Sequence, residues 1–120
     1  VYVGVPVIIH NSKGEILLGK RNMNMPTYPG FWGLPGGMPE YGEKIENTAI
    51  REVKEELDID IKIIKKSKNV YENLPDKKCR FHSVDVPFSG KIVRGIAKPK
   101  DETKEVKWFK PSEIRNMELA

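Results

Sequence analysis

Residues 33–59, GLPGGMPEYGEKIENTAIREVKEELDI, concentrate acidic side chains directly behind a Gly-Gly pair. The acidic residues of this stretch are Glu40, Glu43, Glu46, Glu52, Glu55, Glu56 and Asp58. Carboxylates that lie close together repel each other, so they need solvent, opposite charges or a bound cation to neutralise them. Because the whole chain carries a net charge of +4, this acidic stretch is a local exception that needs an explanation.

A helix predicted over about 43–57 brings three of these side chains onto one face. Residues three and four apart share a face of an α-helix, which applies to Glu52, Glu55 and Glu56. Like charges at these spacings each cost about 0.2–0.5 kcal/mol, and the C-terminal end of a helix favours cations instead. A hard divalent cation would compensate, since Mg²⁺ and Mn²⁺ bind carboxylate oxygens. The alternative is a solvated acidic face that neighbouring lysines balance.

The pattern around these glutamates resembles the Nudix box, G-x5-E-x7-R-E-U-x-E-E-x-G-U, in which U is a bulky aliphatic residue. Gly37 opens the motif, Glu43 follows it, and the run REVKEELDI over 51–59 closes it. Every fixed position matches except one, since Asp58 stands where the family has glycine. Asp tolerates the positive φ that such a glycine usually adopts, so the departure does not indicate loss of activity. The chain is identified as a MutT-like member of the Nudix hydrolases, with one domain over 1–120 and the box at 37–59.

The resemblance implies a hydrolase of nucleoside diphosphates linked to a further group, with Mg²⁺ or Mn²⁺ as cofactor. It implies that Glu52, Glu55 and Glu56 are metal ligands, together with the carbonyl group of Gly36. Glycine suits that position because it lets the backbone approach closely. The fold that it implies is an α/β/α sandwich of the Nudix type, with a mixed sheet between helices.

The resemblance also implies catalytic residues. Attack of water on a phosphorus atom needs cations to cancel repulsion and a group to activate the water. Glu52 and Glu102, which lies in the loop KDETKEVKW, are the candidates for that group, with Glu105 and Asp101 as rivals. Arg51 and Glu43 are expected to form an orienting pair, because the rigid fork of arginine can hold a carboxylate in place.

The substrate is less defined by the sequence. Phe31 or Trp32 could stack on a nucleobase, although aromatic residues in a strand are more often core. Gly37 and Arg21 are also expected to contact the substrate. The favoured reaction converts a (deoxy)nucleoside triphosphate to the monophosphate and pyrophosphate, as MutT-type enzymes do. ADP-ribose or a nucleotide sugar is the alternative, which Pro75 favours, and a non-catalytic nucleotide-binding sensor is a third hypothesis.

Periodicity predicts the elements that must position these residues. A hairpin is predicted from VYVGVPVIIH and EILLGKR, which the turn NSKG joins. A short strand is predicted at FWGLP, and it runs into a Gly-Gly turn. YENLPDKK is predicted as a turn, and CRFHSVDVPF as a strand that ends or bulges near Pro87. GKIVRGIAKPKDETK is predicted as a further strand or an extended arm that leads into a charged loop, and EVKWF as the last strand. The predicted core face of the helix is Ala49, Ile50, Val53 and Leu57, and that of the following strand is Ile59, Ile61 and Ile63. Ser112 is the predicted N-cap of a last helix.

Composition limits the class of protein. The chain has 120 residues, enough for one domain with its own core, and a single cysteine, Cys79, which excludes an internal disulfide. A reducing, cytoplasmic location is therefore expected, with no membrane partner because no apolar run approaches the length of a span. The positive net charge suits a small nucleotide substrate, and no aromatic-basic motif predicts a stable nucleic-acid partner. A homodimer is left open.

Overall fold

The structure is a computed structural model, and it describes residues 1–77 and 79–120. The strands are β1 (Tyr2–Ile9), β2 (Ile16–Arg21), β3 (Trp32–Gly33), β4 (Gly36–Gly37), β5 (Asp60–Lys66), β6 (Tyr71–Asn73), β7 (Ser83–Asp85), β8 (Phe88–Arg94) and β9 (Thr103–Phe109). The helices are α1 (Ile45–Leu57) and α2 (Pro111–Ile114).

Two sheets build the fold. The larger has the order β5-β8-β1-β7-β6, with β4 also paired to β1, and the smaller has the order β3-β2-β9. β1 runs parallel to both β7 and β8, whereas β5 is antiparallel to β8, so the larger sheet is mixed. The predicted α/β class with a mixed sheet is therefore confirmed.

The predicted N-terminal hairpin is wrong, although its turn is present. The backbone N–H of Asn11 donates to the carbonyl of Glu15 at 3.1 Å, which closes the turn. Beyond an isolated bridge between His10 and Ile16, however, β1 joins the larger sheet and β2 the smaller one. The edges of β1 are occupied by β7, β8 and β4, so β2 pairs with β3 and β9 instead.

The core lies between α1 and the larger sheet. Its fully or almost fully buried side chains are Val5, Val7, Ile9, Leu17, Ala49, Val53, Leu57, Ile59, Ile61 and Phe88. The predicted helix face is confirmed except for Ile50, which is 37% exposed, while Thr48 is buried instead. Thr48 tolerates burial because its hydroxyl donates to Glu43 Oε1 at 2.7 Å, which satisfies the polar group.

Several predicted element ends need correction. The Gly-Gly pair is strand β4 rather than a turn, and a Cβ on Gly36 would overlap the carbonyl oxygen of Val5. The segment predicted as a turn at YENLPDKK begins with strand β6, and its last residue, Lys78, lies outside the described residues. The predicted strand break near Pro87 is confirmed, because β7 ends at Asp85 and β8 begins at Phe88.

The helix ends also differ from the prediction. α1 begins at Ile45, two residues later than predicted, after Lys44 as N-cap. The N-cap of α2 is Lys110 and not Ser112, because Pro111 occupies the first turn and Glu113 accepts a hydrogen bond from the Lys110 N–H at 2.9 Å. Asp58 adopts the predicted left-handed conformation after α1, with φ 58° and ψ 38°. In the part of the chain that the structure describes, no helix has the length and apolarity that a membrane span requires.

Candidate metal and pyrophosphate site

A cavity of about 590 Å³ opens beside the C-terminal half of α1. The predicted site residues that line it are Arg21, Gly36, Glu52, Glu55, Glu56 and Glu102, joined by Lys20 and Asp101. Carboxylates therefore occupy the helix side of the cavity, and the cations of β2 lie on another part of its wall. The structure thus brings together predicted site residues that lie up to 81 positions apart in the sequence, from Arg21 to Glu102.

Glu102 reaches this cavity because its loop is attached to the end of α1. The backbone N–H of Lys98 donates to the carbonyl of Leu57 at 2.8 Å, and that of Lys100 to the carbonyl of Glu56 at 2.9 Å. These bonds satisfy carbonyl groups that a helix leaves without partners at its C-terminus. Of the rivals, Asp101 also lines the cavity, whereas Glu105 does not and instead pairs with Lys20 at 3.5 Å.

Glu56 is the most strongly perturbed carboxyl of the cavity. Burial raises its pKa to about 8, and the nearby charges of Glu52 and Glu102 act in the same direction. A hydrogen bond from the Gly36 N–H at 3.2 Å and the charge of Arg21 offset only part of this effect. The ionised form of Glu56 therefore lacks sufficient positive charge from the protein, and an oxygen-rich wall of this kind suits a hard divalent cation.

Arg51 connects the remaining predicted catalytic residues. Its guanidinium donates to both carboxylate oxygens of Glu43, from Nε at 2.8 Å and from Nη2 at 3.0 Å. Its Nη1 donates to Glu52 at 2.8 Å and to Glu55 at 3.3 Å. The predicted pairing of Arg51 with Glu43 is thus present. The guanidinium of Arg51 also orients Glu52 and Glu55. Among residues 1–77 and 79–120, no three acidic, histidine or cysteine side chains converge as a preformed metal cage.

Glu43 is expected to contribute to stability only while it is ionised. The hydrogen bonds from Arg51 lower its pKa to about 2 from an ordinary value of 4.5, with smaller contributions from the Glu40 N–H and Thr48. A carboxyl whose pKa is depressed by folding stabilises the protein above pH 4.5, and this contribution is lost as the pH falls towards 2. The free energy of unfolding, measured with urea at pH 7 and pH 3, should therefore fall less in Glu43→Gln than in the parent. An equal fall in both proteins would contradict this prediction.

Gly37 is placed where a side chain would displace Glu52. A Cβ on this residue would overlap the carboxyl group of Glu52, so the glycine leaves that group its position beside the cavity. Gly37→Ala is expected to lower kcat about a hundredfold, because small misplacements of catalytic groups are costly. Its free energy of unfolding should change by no more than about 1 kcal/mol, since a flexible side chain can move aside.

Gly14→Ala provides the matched control for that prediction. Gly14 has a φ of +75° in a remote turn, and a Cβ there would meet no atom within 4 Å. The substitution should cost about 1 kcal/mol of stability through backbone strain and leave kcat unchanged. If Gly37→Ala behaves like Gly14→Ala, the proposed role of the close contact with Glu52 is wrong.

A second cavity, a groove of about 1030 Å³, lies on the face of β1 opposite the core. Gly4, Pro6 and Ile8 form its floor, whereas Val5 and Val7 between them are buried on the other face. The groove shares Arg21, Leu34, Gly36 and Ala120 with the first cavity, so the two are adjacent.

The aromatic residues predicted to contact a base lie elsewhere. Neither Phe31 nor Trp32 lines either cavity. The Trp32 ring packs edge-on against Phe109 at 5.1 Å, and that of Phe31 packs against Tyr28 at 5.5 Å. Among the described residues, the aromatic residues that line the groove are Tyr2, Tyr28, Tyr71, Phe81 and Phe88. No sequence signal singled them out, because their shared position depends on which strands are neighbours.

Comparison with known proteins matches residues 2–120 to the model of the NUDIX domain. An ADP-ribose pyrophosphatase of Methanocaldococcus jannaschii is 37% identical over 89% of this chain and 60% of its own length. An RNA pyrophosphohydrolase of Wolbachia sp. subsp. Brugia malayi is 39% identical over 61% of this chain and 44% of its own length. The chain thus spans three fifths or less of these curated relatives.

A solved structure is similar over almost the whole chain. The crystal structure of the MutT protein from Methanosarcina mazei Go1 has a TM-score of 0.85 and 30% identity, covering 99% of this chain and 84% of that one. The domain match, the α/β architecture and the predicted motif agree with each other. We conclude that the chain belongs to the Nudix family, with a MutT-like fold.

Proposed function

We propose that the chain hydrolyses a phosphoric anhydride bond in compounds that contain a nucleoside diphosphate linked to a further group. One observation carries the proposal. Glu52, Glu55 and Glu56 line a single cavity together with the cationic side chains of Lys20 and Arg21. Such a cavity combines ligands for a divalent cation with donors for phosphate oxygens, and the adjacent groove offers room for a nucleoside.

We propose Mg²⁺ or Mn²⁺ as the cofactor, held by Glu52, Glu55, Glu56 and the Gly36 carbonyl. The oxygen donors of this set suit these ions, and a bound cation would supply neutralisation of the charge on the pyrophosphate oxygens. Arg21 is rigidly presented for a substrate contact, because its Nε donates to the Thr27 carbonyl at 2.8 Å and its Nη2 to the Thr27 hydroxyl at 2.7 Å.

We propose that a cavity carboxylate accepts the proton of the attacking water. Glu102 and Glu52 both line the cavity and remain the two candidates, with Asp101 as a rival beside Glu102. Glu105 is the weakest candidate because its side chain pairs with Lys20 and lies outside the cavity lining. Arg51 and Glu43 act as positioning residues that do not line the cavity themselves, since Arg51 donates to Glu52 and Glu43 holds the guanidinium of Arg51.

The preferred substrate is a (deoxy)nucleoside triphosphate, which would yield the monophosphate and pyrophosphate. The similarity to a MutT protein over 99% of this chain supports this choice. ADP-ribose is the second candidate, and the relative named an ADP-ribose pyrophosphatase, at 37% identity, supports it. Both candidates require the same glutamates, so the cavity alone fits either substrate.

A substrate panel tests the proposal. Purified protein with Mg²⁺ or Mn²⁺ is incubated with NTPs, dNTPs, 8-oxo-dGTP, ADP-ribose and GDP-sugars, and the products are separated. Pyrophosphate from triphosphates would support the preferred substrate, whereas AMP and ribose 5-phosphate from ADP-ribose would support the second. A folded protein that binds nucleotide but cleaves none of them would overturn the enzymatic proposal in favour of a nucleotide sensor.

A further inference from the structure

A polar cluster interrupts the otherwise apolar floor of the groove. In the larger sheet Asp85 lies opposite Gly4 on one side and Tyr71 on the other, and Ser83 lies opposite Tyr2 and Asn73. Residues opposite each other in neighbouring strands share a face of the sheet. The groove lining includes Gly4, Tyr2, Tyr71, Ser83 and Asp85.

The carboxylate of Asp85 is held in place by its neighbours. Asn73 Nδ2 donates to Asp85 Oδ2 at 3.0 Å and also to the Ser83 hydroxyl at 3.3 Å. Burial raises the pKa of Asp85, whereas the hydrogen bonds from Asn73 and Ser83 lower it. A few polar groups held in a mainly apolar pocket are the usual means by which a binding site fixes the orientation of its ligand.

Gly4 provides the space for this carboxylate. A Cβ at this position would overlap Asp85 Oδ1, so the carboxylate lies over the glycine on the groove side of β1. Pro6, two residues further along β1, pairs with Gly36 of the glutamate cavity. At about 3.4 Å per residue, the β1 positions that pair with Asp85 and with Gly36 are about 7 Å apart along the strand. The polar cluster therefore lies close to the glutamate cavity along β1.

We propose that Asp85, oriented by Asn73, binds the Watson–Crick edge of the substrate base and selects guanine. This inference rests on the proposed function, because it assumes that the anhydride lies at the glutamates. Guanine presents two adjacent donors, N1–H and the 2-amino group, which a carboxylate can accept together. Adenine and cytosine place a ring acceptor beside their single amino group, and that acceptor would face the carboxylate. Tyr2 and Tyr71, both about half exposed, flank the site with aromatic surface.

Binding of nucleoside monophosphates tests this inference without requiring hydrolysis. We would measure the Kd values of GMP, IMP and AMP by isothermal titration calorimetry, without added metal. IMP lacks only the 2-amino donor, so GMP should bind about tenfold or more tightly than IMP, and AMP should bind more weakly than GMP. Asp85→Asn should bring the ratio of the GMP and IMP Kd values close to one.

Two further variants separate a specific role from a general loss of structure. Gly4→Ala keeps the carboxylate but displaces it, so it should reduce the GMP preference as Asp85→Asn does. Glu72→Gln removes the same charge from the adjacent strand, where Glu72 pairs with His82 at 2.7 Å and does not line the groove, so it should keep the preference. Thermal unfolding shows which variants are folded. If Asp85→Asn does not fold, the ratio of the GMP and IMP Kd values in Gly4→Ala provides the test.

The inference is overturned if the parent binds GMP, IMP and AMP equally, or if it binds none of them at millimolar concentration. A GMP preference that persists in folded Asp85→Asn and in folded Gly4→Ala would also overturn the inference. The proposed function can fail separately from this inference. If the protein distinguishes GMP from IMP but hydrolyses no substrate of the panel, the role of Asp85 is supported and the hydrolase proposal is overturned. Conversely, if the protein hydrolyses a substrate of the panel but does not discriminate between the bases, the hydrolase proposal is supported and this role of Asp85 is excluded.

Discussion

Glu56→Gln is expected to lower kcat by a hundredfold or more while the fold is retained. The substitution keeps the shape of a side chain that is partly buried beside Gly36 and removes its negative charge. If the glutamates hold a divalent cation against the pyrophosphate, loss of this charge weakens the contact on which the cleavage depends. The measurement is product release under saturating Mg²⁺ or Mn²⁺, with circular dichroism and thermal unfolding as tests of the fold.

The same variant should be more stable than the parent at alkaline pH when no metal is present. Burial raises the pKa of Glu56 to about 8, so the folded protein retains a proton that the unfolded chain releases near pH 4.5. The stability of the parent therefore declines as the pH rises from 4.5 to 8, and Glu56→Gln lacks this decline. At pH 9 the variant should exceed the parent by about 1–3 kcal/mol.

Glu46→Gln is the matched control, because Glu46 is an exposed glutamate in the first turn of the same helix. It should leave both kcat and the pH dependence of stability close to those of the parent. A Glu56→Gln variant with the kcat of the parent would refute the assignment of Glu56 as a metal ligand. A variant that is folded, inactive and yet no more stable at high pH would support the catalytic role and contradict the electrostatic account of its burial.

Arg51→Lys is expected to lower both stability and activity although it conserves the charge. Arg51 donates to Glu43 through two nitrogens and to Glu52 and Glu55 through a third, and a lysine ammonium cannot reproduce this planar arrangement. We expect the free energy of unfolding to fall, because Glu43 would lose its two-point partner. We expect kcat to fall at least about tenfold, because Glu52 would lose the bond that orients it.

A change in metal affinity distinguishes a positioning role from a purely structural one. In Arg51→Lys the concentration of Mn²⁺ that gives half-maximal activity should shift, since Glu52 and Glu55 would lose the guanidinium nitrogen that donates to both of them. Lys54→Met is the control on the same helix, where the ammonium group lies 3.6–3.8 Å from Asp60 and Asp58 and is half exposed. It should change stability by no more than about 0.5 kcal/mol and leave the metal requirement unaltered. Equal effects of the two substitutions would contradict the proposed role of Arg51.

Features that depend on short sequence separations were predictable. The common cavity of Glu52, Glu55 and Glu56 follows from spacings of three and four residues, which α-helix geometry converts into a shared face. The left-handed conformation of Asp58 follows equally from its place directly after the helix. Both expectations hold because local backbone geometry determines them, whatever packs around the helix.

Where prediction failed, the outcome depended on competition between distant segments. NSKG does form a turn, but β1 pairs with β7 and β8, which lie more than 70 positions away, and therefore not with β2. Ile50 satisfies the helical period approximately, yet the helix presents Thr48 to the core because Glu43 accepts its hydroxyl hydrogen bond. Periodicity indicates that a face is apolar, but it does not indicate the partner against which that face packs.

The sequence by itself thus determined the family, the glutamate face and its Arg51–Glu43 partner, because a helix and its flanking residues carry them all within 37–59. Only the tertiary structure decided what surrounds that face. Backbone hydrogen bonds to the last carbonyls of α1 bring Glu102 to the cavity, and the parallel register of β1 and β7 places Asp85 over Gly4. Such contacts join residues far apart in the chain, and they form only when burial of the common core offsets the entropy of closing long loops.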